Sequence, residues 1–446
     1  MLNNAYWALN QTSSLDLGDT RRTRRAAQLL RTMIRKPDAG LPRQTGSWGE
    51  LKAAYRLLHH PAVTRKAVLK PHFQQTRDKA TGRTTLFVQD TSELDFTLHN
   101  AATGFGPIGD HRGKGLLVHS LLALSPDGQV LGLAGQECWA RSNSAPHKKT
   151  ETRAQRCKRT GRESDVWSTI LQQPGSVPSG SHWVSIGDRG SDCFGYWRTA
   201  VDAGWQCLSR VFTNRKTETD VLSLTRIRTR PACGVFQVEQ RARPGKPACE
   251  LNLSLAWEPV VLPPPQNEPR LRGKPPLPVT LLRCWDETHD VEWLLLATWP
   301  ISRLEEARQA VAWYAMRWSI EEFHKALKTG CGIEKSQLKQ ASSVETLLGF
   351  SSLIAVRLLA LARDARHTPQ ALARSVVEDD WLAVLCQHQC KNAETLTVSE
   401  FYREVAKLGG FLGRKHDGNP GWQTLWHGWQ FLTVLVEGYC LAKKCG

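Results

Sequence analysis

The spacing of hydrophobic residues changes twice along the chain, and each change predicts a different kind of structure. Within residues 1–70 the apolar positions recur at helical spacing among many basic residues. One helix is predicted to begin at Asp19 or Thr20. Another is predicted to begin at Ser47, which has a glutamate three residues later, and to stop at Pro61. The first part of the chain is therefore predicted to be a group of basic helices.

Beyond this part the pattern becomes that of β-strands. The predicted strands are 83–90, two strands within 114–140 joined by a Pro-Asp-Gly turn, 182–188 and 205–211. A polar segment near 150–173 is compatible with a helix. A further helix is predicted over 191–204, with Ser191 as its cap and Gly204 as its end.

From about residue 212 the pattern changes again. Strands rich in valine and leucine alternate with proline-rich connections up to a last strand at 290–300. One long helix is predicted over 304–330, and the remainder of the chain is predicted to be helical. Without the segment 212–300, the order is three strands, then alternating helices and strands, then a helix. That is the order of an RNase H-like fold.

The predicted fold class is therefore α/β, an RNase H-like mixed-sheet core interrupted by a β-rich insertion and flanked by helical domains. We expect a helical domain at 1–70, the core at 71–365 with its insertion at about 212–300, and a second helical domain at 366–446. A chain of 446 residues is long enough for two or three domains and a sizeable core.

Charge adds a partner to this picture. The formal net charge is +17, which favours a polyanionic partner such as nucleic acid, although a basic enzyme with another substrate remains an alternative. Four arginines fall within the five residues 21–25. Contact with phosphates is the favoured interpretation of this cluster, and a solvated helix face is the alternative.

The cysteines and the apolar segments argue against a zinc-binding, a secreted or a membrane-spanning protein. The twelve cysteines are scattered without a CxxC pair, and Cys386 and Cys390 lack a second half-site for zinc. The start of the chain does not resemble a signal peptide. The apolar stretch 347–362 is interrupted by Arg357 and is short for a membrane span, so a buried helix is predicted. We expect a cytoplasmic protein with free thiols and without a membrane partner.

Two aspartates stand at the ends of predicted strands, Asp90 and Asp188. Ligands of open α/β sheets collect outside the strand ends, so both side chains are candidates for one site. The alternative is that each aspartate caps the turn or helix that follows it. Asp95, predicted to lie in the turn after Asp90, and Asp192, one helical turn beyond Asp188, are not assigned to the site.

The helix predicted over 304–330 supplies a third carboxylate. One stripe of this helix is polar and consists of Tyr314, Arg317, Glu321, Lys325 and Lys328. The other stripe is apolar and consists of Met316, Ile320, Phe323 and Leu327. Glu321 lies at the centre of the polar stripe, whereas Glu322 lies about 100° away from it. A solvated face with ion pairs is the alternative interpretation.

Two strand-end aspartates and one helical glutamate form the set of ligands that a two-metal phosphoryl-transfer site needs. Mg²⁺ prefers carboxylate oxygens and keeps positions open for water and phosphate. In such sites one ion activates the attacking oxygen and the other stabilises the leaving oxygen. Neighbouring arginine and lysine side chains would hold the phosphodiester.

The spacing Tyr314-x2-Arg317-x3-Glu321-x6-Lys328 resembles the Y-R-E-K signature of bacterial insertion-sequence transposases, in particular the cut-and-paste DDE enzymes related to the transposase of transposon five. Other stretches are similar to that family in the same order. They include "LGDTRRT" (17–23), "QDTSELDF" (89–96), "GDRGSD" (187–192), "EWLLLATWP" (292–300) and "LGGFLGRKHDG" (408–418). The resemblance covers nearly the whole chain. One departure is Gly190, where close relatives often have an acidic residue.

The resemblance implies a role for each candidate residue. It makes Asp90, Asp188 and Glu321 the metal-binding triad for two Mg²⁺ ions, with Mn²⁺ as a substitute. The implied DNA contacts are Tyr314, Arg317, Lys328 and Arg210 at the reacting end, Trp293 stacked on a displaced base, and Arg21, Arg22 and Arg25 in end recognition. It also implies cleavage through a hairpin intermediate and joining of the 3′ ends to target DNA.

The resemblance further implies that residues 1–70 recognise the inverted-repeat ends and that residues 366–446 pair two protomers in a synaptic complex. The protein is then expected in the bacterial cytoplasm, associated with the nucleoid. Two alternatives remain open: a DNA-binding regulator that does not cut, and an RNase H-like nuclease without strand transfer. An intact triad argues against the first.

Overall fold

The computed structural model describes residues 4–142, 162–219, 221–240, 249–367, 369–375, 377–414 and 417–445. The helices are α1 Asn4–Thr12, α2 Thr20–Met33, α3 Leu41–Gln44, α4 Trp48–Leu58, α5 Arg65–Ala80, α6 Val166–Thr169, α7 Phe194–Asp202, α8 Ser223–Arg228, α9 Leu304–Ala315, α10 Trp318–Lys325, α11 Ala341–His367, α12 Asp379–Gln389, α13 Val398–Leu408 and α14 Trp422–Cys445. The strands are β1 Thr84–Asp95, β2 Gly106–Ile108, β3 Gly113–Leu124, β4 Val130–Trp139, β5 His182–Gly187, β6 Gln206–Arg210, β7 Gly234–Gln240, β8 Cys249–Leu262, β9 Leu277–Asp286 and β10 Val291–Ala297.

Five described helices precede the first strand, and side-chain caps start two of them, α2 and α4, where the sequence predicts. The Asp19 carboxylate accepts the Arg22 N–H at 3.0 Å, and α2 begins at the next residue. The Ser47 hydroxyl accepts the Glu50 N–H at 3.3 Å at the start of α4. A carboxylate or hydroxyl at this position satisfies one of the N–H groups that a helix start leaves without a partner. Both predicted starts are confirmed.

The sheet has an RNase H-like core. Its central strands are β1, β5 and β6, which run parallel, while β3 and then β4 continue the sheet antiparallel on the other side of β1. The predicted fold class is confirmed. The predicted strand pair within 114–140 corresponds to β3 and β4, joined through a turn with Gly128 at φ +91°.

The insertion extends the same sheet. Strand β10 pairs antiparallel with β6, and β9, β8 and β7 follow it outward, which gives ten strands in one continuous sheet. The three parallel strands therefore lie inside the sheet, covered on both faces, as parallel strands require.

The two faces of the sheet pack against different elements. We call the face of Leu86 and Val88 the front face; its core includes Phe323 of α10 and Leu348 of α11. We call the face of Phe87 the back face; its core includes Tyr196 of α7 and buried tryptophans of α6, α7 and the neighbouring strands. Since side chains alternate along a strand, Asp90 belongs to the front face, and Gln89 and Thr91 belong to the back face.

Helix α11 contains the apolar stretch that the sequence predicts to be a buried helix. By length and hydropathy the segment Ala341–Ala360 is comparable to a membrane span, with a mean hydropathy of 1.5. However, 89% of the most apolar part of this segment is buried inside the fold. The prediction of a core helix is confirmed.

The prediction of a single helix over 304–330 is wrong. Helix α9 ends at Ala315, α10 begins at Trp318, and a π-helical turn, Ala326–Gly330, follows α10. The chain tightens at the break because the Ser319 hydroxyl donates to the Met316 carbonyl at 2.5 Å and Arg317 N–H bonds to the carbonyl three residues back.

Other local predictions also need correction. Strand β1 does not stop at Asp90 but continues to Asp95, because β3 keeps pairing with it beyond the end of β5, so Asp95 is not in a turn. Ser191 does not cap the next helix, because its hydroxyl donates to the Asp188 carbonyl at 2.6 Å and α7 begins only at Phe194. The polar segment near 150–173 lies partly outside the described residues; its described part forms short helical turns.

Candidate active site

Asp90 lies in β1, and Asp188 directly follows β5, the parallel strand beside β1. The last β1–β5 pair is Val88 with Ile186, two residues before each aspartate, and Asp188 is close enough to raise the pKa of Asp90. Asp188 follows β5 directly, as predicted, whereas Asp90 lies inside β1, opposite Ser120 of β3. The two aspartates therefore lie near each other where the β1–β5 pairing ends.

Helix α10 brings Glu321 to the same place. Arg317, in the turn before α10, has Nη2 2.6 Å from Glu321 Oε1 and Nη1 3.4 Å from Asp90 Oδ2. Ile320 and Phe323 are fully buried in the front-face core and anchor the helix. The neighbouring Glu322 instead pairs with Arg363 of α11 at 2.9 Å. The two adjacent glutamates therefore have different partners.

Negative charge is concentrated at this site. Burial raises the pKa of Asp90 to about 6, and the neighbouring Asp188 and Glu321 raise it as well. The Thr91 N–H, which donates to Asp90 Oδ1 at 2.7 Å, and the Arg317 guanidinium lower it only in part. A raised carboxyl pKa of this kind is typical of functional sites.

The donor set suits a hard divalent cation. Three carboxylates provide oxygen ligands, and a dication would neutralise the charge that raises the Asp90 pKa. Within the described part of the chain, no three histidine, cysteine, aspartate or glutamate side chains converge closely enough to enclose an ion. Arg317 lies between Asp90 and Glu321 in this arrangement. The residues fit a divalent ion in chemistry and charge.

The Asp90 and Glu321 carboxylates open onto a cleft of about 300 Å³. It is lined by Asp90, Thr91, Ser92, Glu321, His324, Lys325, Lys328 and Thr329. Lys328 reaches Glu334 at 3.6 Å and Lys325 is exposed, so the cleft is rimmed by cations. His324 is a further cleft residue that the sequence pattern does not identify; it is buried, and burial lowers its pKa to about 3. Its only signal was its spacing, one helical turn beyond Glu321.

A second group adjoins the carboxylates. The Tyr314 ring packs edge-on against the Trp293 ring, with 5.1 Å between centroids. Tyr314 is buried, unlike the rest of its predicted stripe, and burial raises its pKa while Arg317 and Arg210 lower it. The Arg210 guanidinium donates to the Glu292 carbonyl at 3.1 Å. Tyr314, Trp293, Arg210 and Arg317 thus form one neighbourhood beside the carboxylates.

The arginines of α2 form a separate surface. A concave region of about 800 Å³ is lined by Leu9, Arg21, Arg24, Arg25, Ala27, Gln28, Arg31 and Glu50. The Arg21 side chain is 89% exposed. Arg22 points elsewhere, and its guanidinium donates to the Leu17 carbonyl. The cluster therefore divides into solvent-facing arginines and one that holds the helix start.

Asp192, left out of the site on sequence grounds, has a structural partner. Its side chain is fully buried and pairs with Arg215 at 2.5 Å. It also accepts the N–H groups of Phe212 and Thr213 at 3.0 and 2.8 Å. These bonds use Asp192 to fix the segment after β6.

Comparison with known proteins identifies three consecutive matches. The family model described as "Transposase DNA-binding" matches residues 4–63, "Transposase DDE domain" matches 181–357, and "Transposase Tn5 dimerisation domain" matches 353–445. A similar solved structure is entitled "Cryo-EM structure of piggyBac transposase synaptic complex with hairpin DNA (SNHP)". That similarity has a TM-score of 0.37 and 8% identity over 98% of this chain and 76% of that one.

Proposed function

We propose that the chain, which is a DDE transposase that carries a DNA-binding domain and a dimerisation domain, performs cut-and-paste transposition. It binds the inverted-repeat ends of its element, cleaves them by phosphoryl transfer and joins the freed 3′ ends to target DNA. The main support is that Arg317 pairs with both Asp90 and Glu321, and that Asp188 lies near Asp90.

We assign Asp90, Asp188 and Glu321 as the catalytic carboxylates. Enzymes with this domain depend on a divalent metal, and we propose two Mg²⁺ ions, with Mn²⁺ as a substitute. Bound there, such ions supply Lewis acidity and an activated oxygen nucleophile. The support is the donor chemistry and the raised pKa of Asp90, which reflects charge that the protein alone leaves poorly neutralised.

Around these carboxylates, the basic and aromatic side chains are proposed to hold the reacting DNA end. Tyr314, Arg317, Lys328 and Arg210 would contact the DNA end, and the Tyr314 ring would also support Trp293. Formation of a hairpin needs a base moved out of the stack, and a half-exposed indole is a suitable surface for it. The edge-on contact between Tyr314 and Trp293 supports this role, because it orients the indole against a residue that itself interacts with Asp188.

Recognition of the ends is assigned to residues 1–70. Arg21 and Arg25 line the concave surface of α2, where several arginines can contact phosphates together. Arg22 belongs to the same set, but the Leu17 carbonyl already holds its guanidinium. We therefore expect a smaller direct contribution from Arg22 than from the other two.

The C-terminal helix α14 offers the surface for pairing two protomers. Phe431, Val434 and Leu441 recur at helical spacing and are 48%, 62% and 64% exposed. Such an apolar stripe on the partly covered helix of a dimerisation domain fits a second copy of the chain. We propose that residues 366–446 hold two transposases together in the synaptic complex, and that the core at 71–365 cuts DNA on the bacterial nucleoid.

The proposal is tested with a labelled duplex that carries the terminal repeat found beside the gene. Incubated with the protein and Mg²⁺, it should yield nicks, hairpins and then products joined to target DNA. Binding without cleavage would identify a regulator, and nicks without joined products would identify a nuclease that lacks strand transfer.

A further inference from the structure

A buried histidine lies on the back face, directly behind the strand that carries Asp90. His119 is fully buried and faces Thr91 across the β1–β3 pair. Its Nδ1 is 2.7 Å from the Thr91 hydroxyl, and its Nε2 is 2.9 Å from Gln89 Oε1. Because an amide oxygen only accepts, Nε2 carries the proton and Nδ1 accepts from the Thr91 hydroxyl.

Gln89 ties this histidine to the neighbouring strand. Its amide nitrogen donates to Ser185 Oγ of β5 at 2.7 Å and to the Tyr196 hydroxyl of α7 at 3.1 Å. Tyr196 in turn donates to Ser185 at 2.8 Å. Burial lowers the pKa of His119 to about 3, so the ring is neutral at working pH. The result is a neutral, buried and connected network, which rigidifies the strands it joins.

The network holds both neighbours of Asp90. Gln89 precedes the aspartate, Thr91 follows it, and the side chains of both are bonded to His119. The Thr91 N–H donates to Asp90 Oδ1 at 2.7 Å. A change in the position of Thr91 would therefore move the donor that orients the Asp90 carboxylate.

The same histidine reaches the turn that carries Asp188. The Trp167 ring packs edge-on against His119, with 4.8 Å between ring centroids. A Cβ atom added at Gly187 would lie 2.8 Å from the Trp167 ring, and one added at Gly190 would lie 3.0 Å from it. The two glycines on either side of Asp188 therefore rest on this indole, and the Gly190 N–H donates to Asp188 Oδ1 at 2.7 Å.

We propose that His119 is a positioning residue for the transposase reaction. From the back face it fixes the strand around Asp90 and, through Trp167, the turn around Asp188, so the two carboxylates keep the spacing that a shared divalent ion requires. The inference rests on the proposed function, which makes both aspartates metal ligands. Loss of residues that orient metal ligands typically weakens metal affinity or activity by about 10- to 100-fold.

The chain offers a matched control in His72. This histidine is also buried, its pKa is also lowered to about 3 by burial, and both of its ring nitrogens are bonded. Nδ1 is 2.7 Å from Gln11 Oε1, and Nε2 accepts the Leu133 N–H at 2.9 Å. These bonds join α1, α5 and β4, not the strands of the two aspartates.

The test compares full-length wild type with His119→Leu, His72→Leu, Thr91→Val and Thr91→Ser, each bound to an uncleaved end duplex. Mn²⁺ affinity is measured by electron paramagnetic resonance, duplex affinity by fluorescence anisotropy, and stability by thermal unfolding. Both leucine variants should unfold at lower temperature. Only His119→Leu should weaken Mn²⁺ binding, by about 10- to 100-fold. Thr91→Val should also weaken Mn²⁺ binding, whereas Thr91→Ser, which keeps the hydroxyl, should bind Mn²⁺ like wild type.

The inference is overturned if His119→Leu and His72→Leu change Mn²⁺ affinity equally, or if Thr91→Val binds Mn²⁺ like wild type. If His119→Leu does not fold, the Thr91→Val and Thr91→Ser pair decides alone. If the wild-type complex binds no Mn²⁺ at all, the assignment of the carboxylates themselves is wrong, and the inference about His119 falls with it.

Discussion

The front and back faces of strand β1 treat their polar groups in opposite ways. On the front face, Asp90 and Glu321 share one arginine, and the pKa of Asp90 is raised to about 6 by burial and neighbouring carboxylates. On the back face, Gln89 is fully buried and Thr91 is partly buried, and both side chains are bonded to neutral groups. Asp90 thus lies among charges that disfavour its ionised form, whereas Gln89 and Thr91 on either side of it have their hydrogen-bonding groups paired. Local frustration of this kind marks the functional side of a fold.

The largest expected effect comes from removing charge on the front face. Asp90→Asn or Asp188→Asn should reduce cleavage of an end duplex by at least about 10²–10³-fold, the usual cost of losing one preorganised transition-state contact. Duplex affinity, measured by fluorescence anisotropy, should remain. Cleavage at the wild-type rate by either variant would remove that aspartate from the catalytic centre.

The next effect belongs to the back face and concerns stability. Trp183 is 1% exposed, packs against Phe87 and Trp205, and donates to the Ala80 carbonyl at 3.0 Å. Trp183→Ala should lower the free energy of unfolding by about 3–5 kcal/mol, as measured by denaturant titration. The control is Trp48→Ala, because that ring is 67% exposed and its loss should change the unfolding free energy little.

On the front face, the ionisation of Asp90 is expected to destabilise the folded protein. In the metal-free protein, the raised pKa keeps a proton on folded Asp90 up to about pH 6, whereas the unfolded chain loses it near its ordinary value of 3.8. This group therefore lowers the free energy of unfolding as pH rises from about 4 to about 6, and the loss persists at neutral pH. Asp90→Asn removes that ionisation.

In chelator at pH 7, we expect Asp90→Asn to be more stable than wild type by about 1–3 kcal/mol, allowing for the lost Arg317 pair. At pH 4 the two proteins should be nearly equal. Denaturant titrations at both pH values check this expectation. A variant that is less stable than wild type at pH 7 would mean that the ion pair outweighs the burial of charge.

The smallest effect is expected at Glu322. Its pair with Arg363 links α10 to α11 at a partly exposed position, where such pairs contribute about 0–1 kcal/mol. Glu322→Ala should therefore shift the unfolding midpoint only slightly, as measured by thermal denaturation. A loss of several kcal/mol would show that this pair anchors the helix.

Sequence reasoning found much of this arrangement because its signals are local. Alternation of apolar residues located the strands, and helical phase separated Glu321 from Glu322, which the structure gives to different partners. The RNase H-like order followed from the succession of elements.

What the sequence did not reveal depends on contacts between distant segments. Strand β1 extends past Asp90 because β3 continues to pair with it, and Tyr314 is buried because β10 brings Trp293 against it. The helix break at Arg317 depends on short-range bonds that the apolar period does not encode. His119 had no signal in the sequence, because only the β1–β3 register places it behind Asp90.

If Glu321 forms the catalytic centre with Asp90 and Asp188, the two adjacent glutamates must differ sharply in function. Glu321→Gln and Glu322→Gln are isosteric changes at neighbouring positions of α10. The measurement is Mg²⁺-dependent cleavage of a labelled end duplex by each variant at equal duplex occupancy. We predict that Glu321→Gln produces neither nicks nor hairpins while Glu322→Gln cleaves at close to the wild-type rate. Equal activity of the two variants, or loss of cleavage only in Glu322→Gln, would show that Glu321 is not the catalytic glutamate.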